Sequence, residues 1–199
     1  MGLSISLLVI LITVIASIYA WKNRSIYNKW MMNPYRVNHN NEYYRFITSG
    51  FIHADGQHLF FNMFSFFMFS FVVEREMGIL NFLILYLVGI VVSDLPTYFK
   101  YKNASYYNSL GASGGVSSII FASIMLEPMG RISLYFIPMR SFIFGIVYLI
   151  LSYYMAKRGG DNINHDAHFY GAVFGLVYPA VIMPGVLNDF FNQIANYHF

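Results

Sequence analysis

The sequence predicts an all-α membrane protein, a bundle of six transmembrane helices that forms one domain over residues 1–199. Two observations carry that prediction. Hydrophobic residues make up 57% of the chain and charged residues only 11%, whereas a soluble domain carries about 25% charged residues. The mean hydropathy is +0.52. Apolar runs bounded by charges, Pro or Gly also recur six times at a length that spans a bilayer as helix.

Leu3 to Tyr19 is the first run, followed by Trp21 and Lys22 at the expected depth of an interfacial belt. No Lys or Arg precedes Lys22, so a retained helix is expected rather than a cleaved leader. A long first loop, 22–50, then carries five of the twelve basic residues. Its Lys29–Val37 stretch reads either as a membrane-surface segment or as a plain solvated connection. Five further spans are expected at Gln57–Val73, Ile79–Leu95, Gly111–Leu126, Ser141–Met155 and His168–Met183, before a short tail at 184–199. Six crossings put both termini on one side. The run from Lys157 to Asp161 is the one polar break resembling a hinge.

Composition also excludes chemistry. With no cysteine there is no disulfide, thiolate nucleophile or cysteine–zinc site. The +3 net charge lacks a basic, aromatic-laced stretch, so the expected partner is the lipid bilayer and not nucleic acid. The sequence carries no signal of oligomeric state.

Polar residues inside spans are costly and therefore point to function. His58 and Asn62 stand at i and i+4 on one helical face, with Asp55 as a cap and His53 in the preceding loop. The fourth span opens with Gly111-Ala112-Ser113-Gly114-Gly115, and the sixth with His165 and His168 followed by Gly171 and Gly175. Spans two, four and six run in one direction, so their first turns meet at one end. Counting back from Glu127 at about 1.5 Å per residue puts Ser113 roughly 9 Å below the near interface. His168, counted back from Pro184, lies at about 6 Å.

A hydroxyl becomes a nucleophile when a base takes its proton, and an imidazole at about 3 Å can do so. Gly171 and Gly175 form a small-residue stripe that lets spans four and six approach, with Gly111 and Gly114 clearing the facing wall. The free amides at the start of span four suit a developing oxyanion, to which His58 and Asn62 can add donors. Asp94 and Asp166 read as interfacial or solvated end charges, as does Asp161. His165 reads as a helix-mouth histidine, and the phenylalanines from Phe60 to Phe71 as lipid-facing surface.

Taken together, "GASGG", "HADGQHLFFN" and "AHFYG" resemble the rhomboid family of intramembrane serine proteases, as do the long first loop and the Glu74–Gly78 pair. The resemblance implies a catalytic dyad of Ser113 as nucleophile and His168 as base. The oxyanion hole would comprise His58, Asn62 and the Ser113 amide, with His53 organising the polar end. It implies no cofactor or metal, a substrate that is the transmembrane segment of another protein, and a bacterial plasma membrane with the site opening outward. Tyr44-Arg45 falls where many members carry Trp-Arg. Ser117 departs from the family, which often has an aromatic there to lie against the base. The alternatives are a non-proteolytic relative that binds membrane proteins and, from the histidines near the site, a metal enzyme. The basic residues, nine on the site's side against three opposite, run against an outward-opening site.

Overall fold

A computed structural model describes residues 4–134, 137–158 and 163–197. The hinge residues Gly159 to Asp161, and His198, lie outside them. The first helix, α1 (Ile5–Lys22), matches its expected span. Its opening amides are satisfied from another helix: Ile5 N–H (2.9 Å) and Ser6 N–H (2.9 Å) both donate to the Glu74 carboxylate. The Ser4 and Ser6 hydroxyls donate to it as well, at 2.7 and 2.6 Å. One acidic side chain thus caps a helix that has no acidic residue in its own first turn.

The first loop is more ordered than either sequence reading. It folds into α2 (Arg24–Trp30), α3 (Pro34–Asn40), α4 (Arg45–Thr48) and a 3₁₀ turn at Ser49–Phe51. Asn23 and Asn33 cap the first two by accepting from Ile26 N–H and Arg36 N–H. Met32 and Val37 are fully buried, so the Lys29–Val37 stretch turns its apolar residues inward onto the protein.

Spans two and three form one long element, α5 (Gly56–Tyr101), whose 46 residues break at Gly78 (φ 73°, ψ 163°). A continuous helix of that length would reach about 69 Å, twice a bilayer core. The positive φ, which glycine adopts without steric cost, lets the second arm return along the first. Phe66 on one arm accordingly meets Phe82 and Tyr86 on the other, with centroids 5.9 and 5.0 Å apart.

Helix α6 (Ser113–Leu126) is the centre of the molecule: twelve of its 14 residues are buried, as expected of a helix that is apolar all round. It lies against both arms of α5 and against α8 (His165–Ile182). Between α6 and α7 (Ser141–Arg158) the chain departs from the all-α expectation. A small antiparallel hairpin, β1 (Arg131–Leu134) and β2 (Ile137–Arg140), pairs Arg131 with Arg140 and Leu134 with Ile137. Both strands are edges, where Pro138 is tolerated. The tail is also helical, as α9 (Val186–Ala195), bent 111° from α8.

By length and composition α1 and α5 are each able to cross a membrane, and the bent pair α8–α9 is a third candidate. Helix α6 is apolar but shorter.

Candidate active site

Helices α6 and α8 touch main chain to main chain. A Cβ added at Gly171 would collide with the Gly114 carbonyl, and one at Gly175 with the Ser118 carbonyl. Both pairs are separated by the same 57 residues (171 − 114 and 175 − 118), so the helices run parallel and in register. The Ser118 hydroxyl, donating to the Gly171 carbonyl at 2.9 Å, reinforces the contact. Ser113 precedes Gly114 by one residue and His168 precedes Gly171 by three. At about 1.5 Å per residue the two positions therefore differ in height by about 3 Å. Both side chains are partly exposed.

The approach to Ser113 is fastened at each residue. Gly111 takes φ +121°, and its N–H donates to the Ser49 carbonyl at 2.9 Å. The next amide, Ala112 N–H, donates to His53 Nε2 at 3.2 Å. That contact makes Nε2 an acceptor, so Nδ1 carries the proton and donates to Ser17 Oγ at 3.1 Å. The Ser17 hydroxyl in turn donates to the Phe51 carbonyl at 3.2 Å. His53 is fully buried, and this burial, assisted by His58 and opposed by Asp55, pushes its pKa down to about 3. It is a neutral structural member here. The amides of Ser113, Gly114 and Gly115 follow as first-turn groups with no intrahelical acceptor.

His58 lies directly over this turn. A Cβ on Gly111 would come within 2.6 Å of its Cε1, so only glycine admits the ring at that distance. Asp55 caps the helix by accepting from His58 N–H at 2.8 Å. Asn62 is buried and gives one amide hydrogen to the His58 carbonyl at 3.0 Å, which leaves its second N–H. His58 thus meets Gly111, two residues before Ser113, with Asn62 one turn further along α5 and the His53 ring 4.9 Å from its own.

His168 stands in the first turn of α8, whose N-cap is Asn164, accepting from Ala167 N–H at 3.2 Å. Thr97, on the second arm of α5, donates to the same Asn164 oxygen at 3.1 Å. Lys100 stands 3.8 Å from Asp166, which is therefore paired with a basic residue of that arm. Beside the His168 ring lie the rings of His165, at 5.9 Å, and of Tyr148 on α7, at 6.5 Å. Tyr148 answers the question raised by Ser117: the aromatic comes from a different helix, and its hydroxyl lies 2.7 Å from Ser117 Oγ.

Several members of this region make contacts that the sequence does not announce. Asn33 Nδ2 donates to the Ser105 and Tyr107 carbonyls and to Asn108 Oδ1, and Met32 exchanges backbone bonds with Ser109, so the first loop is tied to the segment leading into Ser113. Arg45 is buried, bound to the Asn28 carbonyl (3.1 Å), the Met31 carbonyl (2.7 Å) and Glu42. Burial would raise the Glu42 pKa, but Arg45, Asn40 and Tyr44 together hold it below the usual value. Asp94, expected at the interface, is buried, with the Ser49 side chain nearby. Ser93 fills the space over Gly114. Among the described residues no group of three or more His, Asp or Glu is arranged to hold a metal ion.

The Rhomboid domain profile matches residues 40–185, nearly three quarters of the chain. The chain belongs to the rhomboid family. Its relatives include the human mitochondrial presenilin-associated rhomboid-like protein, 32% identical over 136 residues, covering 66% of this chain and 36% of the human one. The mitochondrial RHOMBOID-like protein 12 of Arabidopsis thaliana is 27% identical over 198 residues, covering 89% of this chain and 59% of that protein. A Bacillus subtilis protein, YdcA, with a provisional rhomboid-protease name, is 27% identical over 144 residues, covering 69% of this chain and 66% of its own. This rhomboid matches about a third of the human relative's length and less than two thirds of the plant one's. Because those two names are mitochondrial, the comparisons support a rhomboid membrane protein but do not support a bacterial plasma membrane in particular. In this rhomboid Arg45 is the hub of the first loop, and the neighbouring Tyr44 is 40% exposed.

Proposed function

We propose that this rhomboid is an intramembrane serine endopeptidase that hydrolyses peptide bonds in or near transmembrane segments of other membrane proteins. Ser113 Oγ attacks the scissile carbonyl while His168 takes its proton. The oxyanion is held by the Ser113 amide, with His58 and Asn62 adding donors. His168 returns the proton to the leaving amine, which gives an acyl-enzyme. Water, deprotonated by His168, then attacks the ester and frees Ser113. A helical carbonyl is hydrogen-bonded and shielded, so the substrate segment has to unwind first. The six crossings of this reading are α1, the two arms of α5, α6, α7 and α8, with the site end facing away from the cytoplasm. That sidedness rests on the family resemblance, against the charge count.

The observation that supports this reading most directly is the in-register contact of Gly114 with Gly171, beside which Ser113 and His168 stand within a turn of each other. Covalent labelling with a fluorophosphonate, alongside cleavage of a model transmembrane substrate, tests it. Labelling and cleavage are expected in the wild type and lost in folded Ser113→Ala and His168→Ala. A folded wild type silent in both assays points instead to a rhomboid that binds membrane proteins without cutting them.

A further inference from the structure

Besides the His165 ring of its own first turn, 5.9 Å away, the His168 ring has a second aromatic neighbour from a third helix, Tyr148 of α7. The two rings lie 6.5 Å apart at 36°, inside the range of an aromatic contact. Tyr148 is itself fixed. Its hydroxyl is shared with Ser117 at 2.7 Å. Its ring lies 5.3 Å from Phe121 and 5.8 Å from Phe144. Ser117 is one helical turn beyond Ser113 on α6, hence on the same face. A ring on α7 therefore joins the helix bearing Ser113 to the imidazole on α8.

We propose that Tyr148 is a positioning residue for His168: its ring, anchored to α6 through Ser117, restricts rotation of the imidazole and keeps it turned toward Ser113. This rests on the Ser113–His168 reading above. The torsion that turns an imidazole about its bond to Cβ is broad and weakly held in isolation. A neighbouring wall is what narrows it, and a base misplaced by about 1 Å costs on the order of a hundredfold in rate. The ring performs the restriction, while the hydroxyl holds the ring.

Steady-state cleavage by the purified full chain in bicelles tests this, with Tyr148→Leu and Tyr148→Phe compared at matched thermal midpoints. Tyr148→Leu is expected to lower kcat about tenfold to a hundredfold with KM within about twofold. Tyr148→Phe is expected to keep kcat within about threefold, because its ring remains. Fluorophosphonate labelling rates should follow kcat in both. Where leucine lowers the midpoint, Tyr148→Met fills the space with a flexible chain and is read the same way. A folded leucine or methionine variant with wild-type kcat overturns the proposal, as does a phenylalanine variant as slow as leucine. Wild-type enzyme without Ser113-dependent turnover refutes the dyad reading itself, a distinct outcome.

Discussion

Gly171 sits so close to the Gly114 carbonyl that no side-chain carbon fits between them. The alignment of Ser113 with His168 depends on that approach. Gly171→Val is expected to separate α6 and α8 and to abolish fluorophosphonate labelling. Overpacking of this kind costs about 1–3 kcal/mol or more, so the thermal midpoint in detergent should fall as well. A variant that labels normally would show that the two helices have another way to meet.

His58 and Asn62 are expected to act on the transition state rather than on substrate binding. Each alanine substitution should lower kcat by about 10²–10³-fold, the usual effect of one oxyanion donor, with little change in KM. A rise in KM alone at either position would move that residue from the oxyanion to substrate contact.

Arg45 should matter for stability in a way its neighbour Tyr44 does not. Arg45→Ala leaves two backbone carbonyls and Glu42 without their donor, a loss of about 2–3 kcal/mol. Arg45→Lys is not expected to restore it, because an ammonium lacks the planar fork that reaches all three acceptors. Chemical denaturation of the detergent-solubilised chain measures both.

The His53 network gives a pH dependence of definite sign. The folded pKa, about 3, lies below the ordinary value of 6.5, so the unfolded chain binds more protons between those values. The contribution to stability is then fully present above about 6.5 and is lost as pH falls toward 3. The thermal midpoint should decline as pH is lowered from 7 to 4, and less steeply in His53→Asn. Equal slopes would mean that other groups dominate acid sensitivity.

Much of this was legible because it is local. His58 and Asn62 stand out as candidates through helical spacing, Ser113 and His168 through their place at the opening of apolar spans, and Gly171 and Gly175 through a small-residue stripe. The break at Gly78 was legible too, as a boundary between two apolar runs. Tyr148 was not, since nothing in "GIVYLILSYY" separates the tyrosine facing His168 from those facing outward. Asn33 and Arg45 act across 14 to 74 residues of sequence, on backbone carbonyls that carry no signature. The hairpin at 131–140 is too short for a periodic pattern. Asp94 misled because a carboxylate near a span's end is usually wet, and this one is enclosed by the first loop's return. Arg45, buried and paired with Glu42, also shows why counting basic residues overstates the free charge on that side.

The meeting of α6 and α8 is made by carbonyls and α-carbons, atoms that every residue shares. The closeness of that contact is set at Gly171 and Gly175, where any side chain would strike the facing carbonyls. A lineage that keeps those glycines can exchange much of its lipid-facing surface while holding the separation of the two helices that carry Ser113 and His168.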